Sequence, residues 1–208
     1  MGSDRYILDH IDREDEILQE LYRETNLKVP GARMLSGHLQ GKVLSMISKM
    51  IKPEIILEIG TFTGYSAICL AQGLKDGGKL ITIEKDDELE NLAKKYIHKA
   101  GMDNKIVRLT GSALDLIPTL EESFDLVFLD ADKREYTDYY NIVFEKVRSG
   151  GFIIADNTLW NGKVFESPLP RDAQSKGIIN FNELIKTDSR IEKVILPLRD
   201  GMTIIRKY

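Results

Sequence analysis

From Pro53 onward, short apolar runs alternate with amphipathic segments of helix length, and this alternation constrains the fold more than any other feature of the chain. Strands are predicted near 55–59, 79–84, 105–109, 124–130 and 151–155. Helices are predicted between them, near 64–74, 86–100, 112–121 and 135–147. Strict strand–helix succession of this kind specifies an α/β fold built on a doubly wound, mostly parallel sheet. One more helix is expected over roughly 173–187. Strands near 191–196 and 202–206 flank the turn sequence Arg199-Asp200-Gly201, which makes them an antiparallel pair. Upstream, residues 4–25 read as one charged amphipathic helix with an apolar stripe of Ile7, Leu8, Ile11, Ile17, Leu18 and Leu21. Val29-Pro30-Gly31 is a turn, and a second helix runs through Leu39, Val43, Leu44 and Ile47, with Ser36 as its N-cap. Without repeats or linkers, the 208 residues suit one domain spanning 1–208. Residues 1–50 are expected to cover its ligand site and to offer a dimer interface.

The chemistry collects where the apolar runs stop. Leu126-Val127-Phe128-Leu129 ends at Asp130-Ala131-Asp132-Lys133, and Phe152-Ile153-Ile154-Ala155 ends at Asp156-Asn157. Open α/β sheets bind ligands in the crevice beyond the carboxyl ends of their strands. Acids and a lysine there are costly unless something uses them. Neighbouring strands would aim Asp130, Asp156 and Asn157 into one crevice. Three hard oxygen ligands suit Mg²⁺, Mn²⁺ or Ca²⁺ rather than zinc, with Mg²⁺ the first expectation.

A second constellation follows the first strand of the alternating region. In Glu58-Ile59-Gly60-Thr61-Phe62-Thr63-Gly64-Tyr65-Ser66, two glycines allow a sharp turn and close approach to a ligand. Phe62 stands where a dinucleotide-binding turn carries its central glycine. Glu58 just before the turn repels an anion and accepts a cation, so the ammonium and sulfonium of S-adenosylmethionine fit the charge better than NAD. Glu84 ends the second predicted strand, where an acid can accept ribose hydroxyls. Gly111-Ser112-Ala113 after the third can set a backbone N–H beside an adenine.

Lys+Arg 29 against Asp+Glu 33 gives a net charge of −4, which disfavours a general nucleic-acid binder. No apolar stretch approaches the roughly 20 residues of a membrane span, and no signal-peptide core is seen. The one cysteine, Cys69, excludes an internal disulfide and is expected in a reducing cytoplasm as a small core residue.

Taken together, Glu58-Ile-Gly-x-x-x-Gly-Tyr-Ser66, Asp130-Ala-Asp-Lys133, Asp156-Asn-Thr-Leu-Trp-Asn-Gly162 and Leu196-Pro-Leu-Arg-Asp-Gly-Met-Thr-Ile-Ile-Arg206 resemble the cation-dependent class I O-methyltransferases of the catechol and caffeoyl-CoA type. The resemblance runs from about Met34 to the C-terminus. It implies a Rossmann-like seven-stranded sheet and a homodimer. It implies S-adenosylmethionine held by Met34, Ser36, Glu58, Gly60, Phe62, Ser66, Glu84, Ala113 and Asp130. It implies a divalent cation on Asp130, Asp156 and Asn157, with Lys133 and Asp130 as catalytic residues. Lys133 would act as general base or as an ammonium steadying a phenolate, and Trp160 would wall the acceptor. Asp132 would orient Lys133, support the cation's ligands from outside, or remain solvated. The N-terminal region and the 163–175 segment are short beside those of the plant caffeoyl-CoA enzymes, so the acceptor expected is a smaller catechol-like phenol. The alternative is a 5-hydroxyuridine in tRNA, for which Lys163, Arg171 and Lys176 would supply the basic surface.

Overall fold

The computed structural model describes residues 3–208. Seven strands form one sheet: β1 (Ile55–Ile59), β2 (Lys79–Glu84), β3 (Ile106–Thr110), β4 (Phe124–Leu129), β5 (Val147–Asp156), β6 (Ile191–Leu196) and β7 (Met202–Lys207). Their spatial order is β3-β2-β1-β4-β5-β7-β6. The first five are parallel, and β7 runs antiparallel between β5 and β6. The doubly wound sheet with an antiparallel C-terminal pair is the architecture expected from the alternation.

Among the described residues eight α-helices accompany it: α1 (Ser3–His10), α2 (Glu16–Lys28), α3 (Gly37–Ile51), α4 (Tyr65–Ala71), α5 (Glu90–Lys99), α6 (Ala113–Leu116), α7 (Tyr136–Lys146) and α8 (Ala173–Thr187). Successive strand residues point to opposite faces. Leu57, Ile59, Val127, Leu129 and Ile153 therefore pack on one side with Tyr136, Tyr140, Val143 and Phe181 of α7 and α8. Ile56, Leu80, Leu126, Phe128 and Ile154 pack on the other with Leu21, Leu44, Leu70 and Tyr96 of α2–α5. Both faces are covered, so the central strands read as continuous apolar runs.

Several boundaries differ from the sequence expectation. The segment read as one helix over 4–25 is two, because Asp15 accepts the Ile17 N–H at 2.9 Å and caps a fresh start at Glu16. Asp86 accepts the Glu88 N–H at 2.9 Å, and this local turn delays α5 to Glu90. Pro118 sits in a 3-10 turn over Ile117–Thr119 that ends α6 early. β5 begins at Val147, four residues before its predicted start at 151. Ser36 precedes α3, but its helical angles (φ −56°, ψ −43°) are not the extended ones of a capping residue, and its side chain makes no capping bond among the described residues.

Candidate active site

The sheet order places the switch point between β1 and β4, where the connections turn to opposite sides. Ile59 pairs with Ile83 on one side and with Leu129 on the other, and Leu129 pairs with Ala155. Glu84, Gly60, Asp130 and Asp156 therefore stand in a row along four adjacent strand ends. At roughly 4.8 Å per strand the row extends on the order of 15 Å, room for an extended ligand.

Gly60 makes the row possible. Its φ is +101°, and a Cβ there would lie 2.1 Å from the carbonyl oxygen of Asp130. The turn then continues through Phe62, itself left-handed at φ 49°, into α4. The Phe62 N–H donates to Glu84 Oε2 at 2.8 Å, and Lys85 N–H donates to Glu84 Oε1 at 2.9 Å. Those bonds fix the Glu84 carboxylate against the glycine turn. Gly111 N–H reaches Glu84 O at 2.8 Å, which brings buried Ala113 at the start of α6 to the same edge. The glycine turn, the oriented acid and the α6 start lie on neighbouring strand ends of one sheet edge, an arrangement that fits a nucleoside-bearing cofactor.

Glu58 differs from its sequence reading. It is wholly buried, and burial pushes its carboxyl up to about 8, with hydrogen bonds from Ser66 and Thr82 offsetting only part. Thr82 Oγ1 donates to Oε2 at 2.6 Å, while Oε1 has no partner among the described residues. Glu58 is thus largely protonated at neutral pH and repels an anion less than a free carboxylate would. Because the folded protein binds this proton more tightly than the unfolded chain, its contribution to stability is full below about pH 4.5 and is lost as pH rises through about 8. Glu58→Gln should therefore remove a fall in the melting temperature of the ligand-free protein across that window; an unchanged pH profile would show that Glu58 is not the group responsible.

Asp130, Lys133, Tyr136 and Asp156 form one connected cluster. Lys133 is buried and donates to Asp130 Oδ1 at 2.8 Å and to Tyr136 Oη at 2.6 Å. Tyr136 Oη in turn lies 3.0 Å from both the Leu129 and Asp156 carbonyls, bridging the ends of β4 and β5. Asp132 takes no part. It pairs instead with Arg134, whose Nε donates to both carboxylate oxygens at 2.9 Å, so it does not orient Lys133. Asp156 is buried, and burial, then the charge of Asp130, push its carboxyl up to about 6. Gln40 Nε2 donates to Asp156 Oδ2 at 2.7 Å, whereas Oδ1 is buried without a partner among the described residues. Two carboxylates side by side, one with an orphaned oxygen, fit a cation. Among the described residues no three His, Cys, Asp or Glu side chains cluster as a ligand set, so a cation here would need the amide of Asn157 as third protein donor.

Asn157 opens a strained loop. Asn157, Trp160 and Asn161 all have positive φ, at 59°, 48° and 51°. Such residues cost about 1–3 kcal/mol each and persist only where neighbours over-determine them. Here the β6–β7 turn does so: Thr158 N–H donates to Gly201 O at 3.0 Å, Leu159 N–H to Asp200 O at 2.9 Å, and Asn161 N–H to the Asp200 carboxylate. Trp160 is half-buried, with Nε1 donating to Ser175 Oγ at 3.0 Å. Met34 is exposed and Ser36 buried in the segment that leads into α3. Two of the histidines lie apart: half-buried His38 bonds to the Asp12 carbonyl and exposed His98 to Asp103.

Gln40 and Tyr136 were not singled out by the sequence, and Arg199 only as part of a turn. Only Tyr136 left a local signal, three residues beyond Lys133 and so on the same side of a helical turn.

The comparisons agree with this geometry. The family model described as O-methyltransferase matches residues 9–208. Caffeoyl-CoA O-methyltransferase from Stellaria longipes is 36% identical over 98% of this chain and 89% of its own length. Caffeoyl-CoA O-methyltransferase 1 from Eucalyptus globulus is 38% identical over 94% and 83%. Among solved structures, the O-methyltransferase TomG from Streptomyces achromogenes, in complex with SAM, superposes with a TM-score of 0.91 at 29% identity, covering 100% of this chain and 99% of its own. The O-methyltransferase from Bacillus cereus, in complex with SAH, gives 0.89 at 30% identity, covering 98% and 96%. The chain belongs to the O-methyltransferase family, class I and of the caffeoyl-CoA O-methyltransferase type, and is an S-adenosylmethionine-dependent enzyme.

Proposed function

We propose that this enzyme methylates one hydroxyl of a catechol-like, vicinal dihydroxy phenol with the help of a divalent cation, Mg²⁺ before Mn²⁺ or Ca²⁺. The observation that carries the reading is the buried, unpartnered Oδ1 of Asp156 beside the carboxylate of Asp130. Asp130, Asp156 and Asn157 would hold the cation. Bound there, the cation would lower the pKa of a chelated phenol, and the cofactor would supply an electrophilic methyl group.

The chain's own residues supply position and charge, which is most of what an in-line methyl transfer needs. Glu84 would hold the ribose and Ala113 the adenine. Gly60, Phe62 and Ser66 would line the methionine end, with Glu58 behind them, and Met34 and Ser36 would cover it. Lys133, which donates to Asp130, would stand beside the acceptor as its general base or as an ammonium that steadies a phenolate. Trp160 would wall the aromatic ring. The short 163–175 segment favours a small phenol over a CoA ester. A tRNA acceptor is less favoured: Lys163 lies 3.6 Å from Asp172, which leaves Arg171 before α8 and Lys176 within it as the exposed cations, on a chain of net charge −4. A homodimer fits the exposed Ile7, Leu8, Met46 and Met50 of the N-terminal helices. The lone buried thiol of Cys69 suits the cytoplasm, and no described helix is long and apolar enough to cross a membrane.

Methyl transfer from labelled S-adenosylmethionine, with Mg²⁺ or with EDTA, tests the reading. Label should appear on caffeic acid or another catechol, vanish with EDTA, and vanish in Asp130→Ala. Label on undermethylated tRNA with little on catechols would move the acceptor to RNA. Full activity of Asp130→Ala would remove the cation assignment.

A further inference from the structure

The turn between β6 and β7 carries Arg199, whose backbone is left-handed at φ 49°. Its Nη1 donates to the carbonyls of Leu35, at 3.2 Å, and Ser36, and to Oε1 of Gln40. Gln40 lies in the first turn of α3 and is fully buried. Its Nε2 reaches Asp156 Oδ2 at 2.7 Å. One side chain thus touches the segment expected to cover the cofactor and, through one amide, a proposed cation ligand.

The chemistry of the amide makes this chain directional. A guanidinium only donates hydrogen bonds, so the Gln40 oxygen must face Arg199. That leaves the NH₂ group, and only it, to face the Asp156 carboxylate. A reversed amide would set oxygen against carboxylate and NH₂ against guanidinium, and both hydrogen bonds would be lost. Arg199 therefore decides which end of Gln40 meets Asp156. In turn Arg199 is anchored by the Leu35 and Ser36 carbonyls, and lifting that segment would free it. The same turn, through Asp200 and Gly201, also holds the Asn157–Asn161 loop.

We infer that Arg199 is a positioning residue which, by fixing the orientation of Gln40, ties closure of the 35–36 segment over the cofactor to the affinity of Asp156 for its cation. This rests on the reading of Asp156 as a cation ligand, so the test separates the two. Calorimetry without turnover would titrate Mn²⁺ and, separately, S-adenosylhomocysteine into wild type, Arg199→Ala, Arg199→Lys, Gln40→Leu and the Arg199→Ala/Gln40→Leu double variant, with Asp156→Asn as reference. Arg199→Ala should weaken Mn²⁺ binding about ten-fold, the size expected for one hydrogen bond to a charged group, and S-adenosylhomocysteine binding several-fold. The double variant should bind Mn²⁺ no more weakly than either single one, because both act through the same bond. Arg199→Lys, which keeps a donor for Gln40, should recover part of the loss. A lower melting temperature with unchanged affinities would mean a purely structural arginine and would overturn the inference. Fully additive losses would overturn it too. Wild type that binds no Mn²⁺, or Asp156→Asn that binds it equally well, would instead remove the cation assignment and the coupling together. Should Arg199→Ala not fold, Gln40→Leu and Arg199→Lys carry the same comparison.

Discussion

Lys133→Met should lower kcat on the order of 10³-fold while leaving S-adenosylhomocysteine affinity within about two-fold of wild type. Methionine keeps the length and packing of the stem, so the loss would report the nitrogen. Lys133 is buried and spends hydrogen bonds on Asp130 and on Tyr136, which places its nitrogen at the junction of β4 and β5 rather than at the glycine turn after β1. In the proposed reading a group there would act on the acceptor and should hardly touch cofactor binding. Stopped-turnover rates with a catechol, beside calorimetric binding, separate the two effects. Lys133→Arg divides the roles: an ammonium that steadies a phenolate is partly replaced by a guanidinium, whereas a general base is not, because arginine does not deprotonate. Retention of the wild-type rate in Lys133→Met would remove this residue from the chemistry.

Gly60→Ala should abolish activity and lower the melting temperature by about 10 °C or more, through a cost of about 4 kcal/mol or above. Two costs add. Alanine is strained at φ +101°, and its Cβ would sit 2.1 Å from the Asp130 carbonyl oxygen. That oxygen belongs to main chain held by the Asp130 N–H to Ile59 O bond of 2.9 Å, so relief requires parting β1 from β4 at the switch point. Gly77→Ala is the matched control: it shares a positive φ, +76°, but meets nothing within 4 Å among the described residues. It should lose only the backbone strain. Equal effects at the two positions would show that crowding at the switch point is unimportant. Both are read by thermal unfolding, and Gly60→Ala also by kcat/KM.

What the sequence made legible is what depends on neighbouring residues. β1 and β2 fall at their predicted bounds because strands buried on both faces are mostly apolar, and Pro53, Gly60 and Gly78 punctuate those runs. Glu84, Asp130 and Asp156 could be placed because a strand end is both a sequence position and a position in space. The N-terminal break was harder. Ile7 and Leu8 are exposed on α1 while Leu18 and Leu21 are buried on α2, so two helices with different environments share one apparent stripe. The interval 12–16, which holds no apolar residue, was the available clue.

The parts that stayed hidden are those made by long-range contact. Gln40 meets Asp156 across 116 positions and Arg199 across 159, and nothing local marks an amide for that purpose. The state of Glu58 was hidden for a related reason. Its charge follows from complete burial beneath α4, a property of the packed sheet and not of the residue type.

The chain contains a single tryptophan, and it stands at φ 48° in the loop beyond Asp156, with its indole N–H fixed on Ser175 and the Lys163 ammonium 6.0 Å from the ring centroid. Its ultraviolet emission is therefore a local optical probe. A change in colour or intensity at the red end reports the loop between β5 and α8, uncontaminated by any second indole elsewhere in the molecule.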